Sequence, residues 1–359
     1  MITVTKTFFP PKEDYKSYID KIWENQWLTN GGNLNIDLAL KLKQYLGVHH
    51  IIPTTNGTLP LQIALNAFAN EGEVITTPFS YVATTSAIVW EKCTPVFVDI
   101  HPEYLTIDET KIEAAISKKT TAILATHVYG NPCAVESIEE IAKRYKLKVI
   151  YDAAHCFGVD YKGGSIFNYG DVSTCSFHAT KLFHTGEGGA LFCQDQNTYE
   201  KLNYRHNFGH NGLMNFHGVG INAKMSELQA AMGLSVLPYM SNLMSERKRI
   251  CDYYDANLDF RIFGKIKIRE CTTWNYSYYP ILFRSEEHLL RTEKALNAEQ
   301  IYPRRYFYPS LNKLSYVTQR NMPICDNTAP RVMCLPLYYG LNSDDTKRIC
   351  EIILRMCNK

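Results

Sequence analysis

Between about residues 50 and 195, short runs of apolar and β-branched residues alternate with longer segments patterned at helical spacing. The runs Glu73–Thr77, Pro95–Asp99, Ala122–Thr126, Lys148–Asp152, Ser173–Phe177 and Ala190–Cys193 predict strands. The segments 58–70, 82–92, 108–118 and 135–146 predict helices. This alternation predicts an α/β fold, with a largely parallel central sheet covered by helices on both faces. Sheets of that kind bind ligands beyond the carboxyl ends of their strands.

Upstream, residues 11–30 predict an amphipathic helix stopped by Asn30-Gly31-Gly32. A second helix carries Leu38, Leu42 and Leu46 as one buried stripe and ends at Gly47. The alternation weakens after about residue 238. A long helix, Tyr239–Leu258, leads into Thr272–Phe283, whose aromatic and Thr content predicts antiparallel strands. A helix over 343–357 closes the chain. The expected division is a large domain, 1–238, and a smaller C-terminal α+β domain, 239–359, joined through a helix rather than a flexible linker. A length of 359 residues suits two domains.

Composition narrows the function. Apolar residues make up 45% of the chain and charged ones 21%, enough for a sizeable core. A net charge of +2 without a long basic or acidic run gives no bulk attraction to nucleic acid or anionic membrane. Any anionic ligand must be held by local donors. The eleven cysteines form no C-x-x-C pair and no metal-ligand spacing, so no metal site is expected. Free thiols, the absence of a signal-peptide pattern and the absence of a membrane-length apolar run lead us to expect a soluble, cytoplasmic protein.

Candidate chemistry gathers at the strand ends. Lys181 lies just past the strand Ser173–Phe177, before a glycine-rich turn closed by Glu187. A partly desolvated lysine there suits covalent capture of an aldehyde cofactor; an ordinary surface lysine is the competing reading. Gly57 and Thr58 begin a predicted helix, where free amides and the helix dipole favour a phosphate, or where a simple N-cap sits. Asp152 ends a strand and could keep a pyridine nitrogen protonated, making the ring an electron sink. His155 could bond a ring oxygen, or be a satisfied core histidine. Ser176 could offer its hydroxyl to the phosphate. Tyr81 could stack on a ring, or pack in the core.

Together these segments resemble a known family. Asn56-Gly-Thr58, Tyr81-Val-Ala-Thr84, Asp152-Ala-Ala-His155 and Ser176-Phe-His-Ala-Thr-Lys181 through Glu187-Gly-Gly189 resemble the motifs of the DegT/DnrJ/EryC1/StrS sugar aminotransferases. So do Gly220–Ala231, Arg305–Pro309 and Leu335–Tyr338. The resemblance covers nearly the whole chain. It implies the aspartate-aminotransferase-like fold type I and pyridoxal 5'-phosphate as cofactor. Lys181 would bond covalently to the cofactor aldehyde, Asp152 would pair with the pyridine nitrogen, His155 would approach the ring hydroxyl and Tyr81 would stack on the ring. Gly57, Thr58 and Ser176 would bind the phosphate, and Asn222 would reach it from the partner subunit of a homodimer.

The implied reaction moves an amino group from L-glutamate to a nucleotide-linked keto-6-deoxyhexose. The segment Pro303–Pro309 and the lysine block most resemble the branch that makes dTDP-4-amino-4,6-dideoxyglucose, which implies amination at C4. Lys224, Arg304, Arg305 and Tyr308 are the substrate-side candidates. The family often has an aromatic and an arginine where this chain has Ala223 and Lys224, and lysine lacks arginine's planar fork. Dehydratase members carry histidine in place of the catalytic lysine, whereas Lys181 is present here. The competing readings are amination at C3 of a 3-keto sugar, a non-catalytic cofactor-binding regulator, and a sulfur-transfer enzyme using Cys156 or Cys175.

Overall fold

Strand residues in the first half of the chain point alternately into two different cores, which is why their sequences read as unbroken apolar runs. Ile51, Ile75, Ile123, Val149 and Tyr151 face one core. Ile52, Val74, Ala122, Leu124 and Ile150 face the other. The structure, a computed structural model, describes residues 1–357.

The chain begins with β1 (Ile2–Thr3), α1 (Lys12–Asn25), α2 (Asn33–Leu46), β2 (His50–Thr54) and α3 (Thr58–Phe68). Next come β3 (Glu73–Thr76), α4 (Val82–Trp90), β4 (Thr94–Phe97), β5 (Thr120–Thr126), α5 (Val135–Tyr145) and β6 (Lys148–Asp152). Then follow β7 (Asp160–Tyr161), β8 (Gly164–Ser165), β9 (Val172–Ser176), β10 (Gly189–Cys193), α6 (Gln196–His206) and α7 (Glu227–Val236). The remainder is α8 (Met240–Asn257), β11 (Gly264–Lys265), β12 (Thr272–Thr273), β13 (Tyr279–Leu282) and α9 (Glu286–Ala298). After it come β14 (Ile301–Tyr302), α10 (Pro323–Thr328), β15 (Val332–Leu335) and α11 (Ser343–Cys357).

The main sheet has seven strands in the order β2-β10-β9-β6-β5-β3-β4. Its neighbours are parallel except where β10 runs against β2 and β9. Helices α2, α5 and α7 cover one face, and α3, α4 and α6 the other. The expected α/β architecture is therefore present. In the C-terminal part, β11, β13 and β15 form a three-stranded antiparallel sheet packed with α8, α9 and α11. The N-terminal β1 joins β14 there, and Ile2 is buried in that core. A second tie across the molecule comes from Asp99. Its carboxylate accepts from the amides of Ile324 (2.8 Å) and Cys325 (2.9 Å), capping α10.

Several expectations need correction. Residues 108–118 form two short 3₁₀ turns, Glu109–Lys111 and Glu113–Ala115, because Ile112 alone supplies a buried anchor where a helix needs a stripe. The helix expected over 11–30 stops at Asn25, where Gln26 turns left-handed (φ 54°) once the buried side of the helix ends at Ile22. Thr272–Phe283 does supply antiparallel strands, β12 against β7 and β13 against β11 and β15, with 274–278 between them irregular.

One buried carboxylate organises the N-terminal helices. Glu227, 2% exposed at the start of α7, accepts from the amides of Leu34 (2.8 Å) and Asn35 (2.9 Å) in the first turn of α2. Those amides have no partner within their own helix. Glu227→Ala is expected to lower stability by about 2 kcal/mol. The denaturation midpoint of the cofactor-free protein reads this loss, and Glu227→Gln, which keeps an acceptor oxygen, should lose less.

Candidate active site

The carboxyl ends of β2, β3, β5, β6 and β9 bring the site together, with Gly189 of β10 paired to both Thr54 and Ser176 at the same edge. The loop after β2 passes close over the end of β9. A Cβ built on Gly57 would fall 2.6 Å from Ser176 Cβ and 2.9 Å from its Cα. Only glycine lets these two segments meet, and they meet where α3 begins. Asn56 Oδ1 accepts from the amides of Thr58 and Leu59, both at 2.9 Å, so Asn56 caps α3 and the Thr58 hydroxyl stays exposed. Gln229 of α7 braces this loop. Its side-chain amide donates to the carbonyls of Thr55 (2.9 Å) and Glu187 (2.8 Å).

Asp152 is buried at the end of β6. Thr84 Oγ1 donates to its Oδ2 (2.6 Å) and the Ala154 amide to its Oδ1 (3.2 Å). With the Thr84 proton on Asp152, the bonded Ser80 hydroxyl (2.7 Å) donates to Thr84, and Thr126 Oγ1 donates in turn to Ser80 (3.0 Å). The hydroxyl chain thus runs toward the carboxylate from two segments, the β3–α4 junction (Ser80 and Thr84) and the end of β5 (Thr126). Burial pushes the Asp152 pKa up, against the pull of these donors and of the Lys181 charge. A buried carboxylate in that state is completed by a cationic partner.

His155 is buried and kept neutral by that burial, well below the ordinary histidine range. Its Nδ1 accepts from the Tyr129 amide (3.1 Å), which places the proton on Nε2 as a donor. Phe307 stacks on its ring at 5.5 Å and 6°. Lys181, half-buried, donates through Nζ to the Tyr278 hydroxyl at 3.3 Å. Lys181, His155, Ser176 and Tyr278 line one small cavity.

These residues fit pyridoxal phosphate. The close approach of Gly57 to Ser176 sets the start of α3, with its exposed Thr58, beside the Ser176 hydroxyl. Asp152 is a buried acid wanting a cation, His155 offers Nε2–H, and Lys181 supplies the amine. Tyr81 lies 57% exposed at the head of α4, which excludes simple core packing, with its ring 6.5 Å from Phe307.

Residues 11–354 match the DegT/DnrJ/EryC1/StrS aminotransferase family. The chain belongs to that family. It is 41% identical over 361 residues to a dTDP-4-amino-4,6-dideoxy-D-glucose transaminase of Shigella dysenteriae, covering 98% of each chain. A transaminase of the same name from Escherichia coli is 41% identical over 369 residues, again with 98% of each covered. Among solved structures, DesI in the presence of its TDP-sugar product superposes with a TM-score of 0.93 at 29% identity. That match covers 99% of this chain and 92% of that one.

For this aminotransferase the remaining candidates divide into two places. Tyr81, Arg304, Arg305 and Tyr308 line a cavity of about 980 Å³. Arg304 is exposed there, and its side chain makes no hydrogen bond or ion pair among the described residues. Arg305 is fastened: it bonds Glu286 (2.6 Å) and the Pro330 carbonyl (2.9 Å) and lies 3.8 Å above the Tyr308 ring. Lys224 lines a different cavity of about 390 Å³ with Asn207 and His206. Its amine donates to Asn207 (2.9 Å) and to Asn222 (2.7 Å), so these two candidates bind each other rather than Lys181 or Asp152.

Tyr278, Thr84 and Phe307 were not among the candidates. Thr84 stands inside a quoted motif and could have been found from it. Burial drives the thiols of Cys156 and Cys175 up, the latter to about 12, so neither is a ready nucleophile for sulfur transfer. No helix among the described residues is long and apolar enough to cross a membrane.

Proposed function

We propose that this protein uses pyridoxal phosphate and L-glutamate to aminate a nucleotide-linked 4-keto-6-deoxyhexose, the dTDP-linked 4-keto-6-deoxyglucose first among them. The observation that carries the reading is the 41% identity over 98% of the chain to two transaminases named for the 4-amino sugar. The cofactor, when bound, supplies an electron sink for carbanion character at the donor α-carbon. Lys181 Nζ removes the proton from that carbon and, in the second half-reaction, delivers a proton to the sugar carbon that receives nitrogen. Asp152 holds the pyridine nitrogen, His155 the ring oxygen, and Gly57, Thr58 and Ser176 the phosphate. In the larger cavity, Arg304 meets the diphosphate while exposed Tyr81 and Tyr308 border the sugar and base.

A homodimer belongs to the same reading. Trp23, Trp27, Leu28, Ile36 and Leu40 are exposed on and between α1 and α2, and Leu213, Met214 and Phe216 on the loop before Asn222. Apolar area of that extent suits a subunit contact. From the partner's copy of that loop, Asn222 and Lys224 would approach the phosphate. The proposed division into 1–238 and 239–359 and a cytoplasmic setting complete the picture.

The test presents dTDP-linked 4-keto and 3-keto 6-deoxyhexoses side by side with glutamate, and locates the new amine by NMR. Nitrogen at C4 is expected. An amine at C3 would replace the reading with the 3-aminotransferase one, and no conversion of the cofactor by any amino acid would favour a non-catalytic role.

A further inference from the structure

The segment Trp274–Tyr278 crosses from the C-terminal part of the chain to the site and is irregular for a reason: its hydrogen bonds go elsewhere. Asn275 Nδ2 donates to the carbonyls of His155 (2.8 Å) and Phe157 (2.9 Å), and the Ser277 hydroxyl donates to His155 as well. Trp274 Nε1 donates to the Tyr129 carbonyl (2.8 Å). From behind, buried Arg247 donates to the carbonyls of Tyr276 (3.1 Å) and Ser277 (3.0 Å). These bonds fix the backbone leading up to the residue that meets the lysine, and β13, paired with β15, begins directly after it.

Tyr278 is buried, its ring edge-on to His155 at 5.0 Å and to Tyr306 at 5.4 Å, so its hydroxyl has little freedom to move. That hydroxyl receives the Lys181 amine at 3.3 Å, and the ring centroid lies 5.7 Å from the same nitrogen. We propose that Tyr278 is a positioning residue for the catalytic lysine: it holds the Lys181 amine at the site whenever that amine is not bonded to the cofactor. A lysine side chain has about 2 kcal/mol of rotamer freedom. Without a partner its freed amine would sample conformations remote from the donor α-carbon. The oxygen of Tyr278 and the face of its ring provide one resting place, anchored by a clamp that does not depend on the cofactor. This inference rests on the assignment of Lys181 as the cofactor-binding lysine.

Tyr278→Phe tests it, since phenylalanine keeps the ring and its packing and removes only the oxygen. Protein stripped of cofactor is mixed with pyridoxal phosphate, and the rate at which Lys181 Nζ bonds the aldehyde carbon, releasing water, is followed by absorbance and by borohydride trapping with peptide mass analysis. The affinity for pyridoxamine phosphate, which forms no bond to Lys181, is measured alongside. The capture rate is expected to fall about tenfold, the order of one lost hydrogen bond to a charged group, with pyridoxamine phosphate affinity unchanged. In single turnovers with α-deuterated glutamate, the isotope effect should rise as lysine-mediated proton transfer becomes slower. An unchanged capture rate and isotope effect would overturn the proposal, as would an equal loss in pyridoxamine phosphate affinity, which would mean a damaged pocket. If the parent protein itself fails to trap the aldehyde at Lys181, the assignment of the lysine falls first.

Discussion

Lys181→Ala is expected to lower transamination by about 10⁴-fold, the upper range for removing a group that both accepts and delivers a proton. The side chain is half-buried past the end of β9, 3.3 Å from the Tyr278 hydroxyl, and among the described residues no other amine lines that small cavity. Lys181→Arg should be as inactive, because a guanidinium keeps the charge and does not surrender its proton. The measurement is kcat with glutamate and a 4-keto nucleotide sugar, beside the thermal midpoint of each variant. A residual rate above a hundredth of the parent's would remove Lys181 from the proton path.

Asp152→Asn has the second largest expected effect, and it acts in opposite directions on the two forms of the protein. In loaded enzyme it takes away the anionic partner of a buried cation, a loss on the scale of about 3–5 kcal/mol, so kcat should fall by roughly 200- to 5,000-fold. In cofactor-free protein the carboxylate is itself the uncompensated charge. Burial raises its pKa above the unfolded value, outweighing Thr84, Ala154 and Lys181. An acid shifted that way contributes stability below its unfolded pKa and loses it as pH rises through the folded one. The stripped parent protein should therefore weaken as pH climbs through that window, and the Asn variant should not. Thermal midpoints of both, measured across pH without cofactor, check the sign.

The main sheet was readable because its strands are buried on both faces and flanked by helical segments, which leaves unbroken apolar runs alternating with helically spaced ones. The candidate site was proposed for a related reason. Lys181, Asp152 and Ser176 sit at strand ends, where periodicity stops and chemistry is conspicuous. What escaped had weaker local traces. The strand β2 contains Pro53, which suggests a break, yet β2 lies at the edge of the sheet, where a residue without N–H is tolerated. Helix α6 buries Leu202 alone, so it carries no stripe. In α9 the buried positions include His288 and Thr292, which interrupt the apolar pattern. Tyr278 was hidden differently. It reaches Lys181 across 97 residues of sequence, from a segment held by side chain to backbone bonds that leave no period to detect.

Asp99 grips the start of α10 from one side of the molecule, and Asn275 and Ser277 grip the His155 loop from the other. Two such fastenings leave the C-terminal part little room to swing as a door. The proposed substrates, a small amino acid and then a bulky sugar nucleotide at one centre, would have to come and go past a fixed frame. Under the proposed function the side chains lining the larger cavity, Tyr81, Arg304 and Tyr308, would regulate that traffic, and turnover should be sensitive to their bulk more than to solvent viscosity.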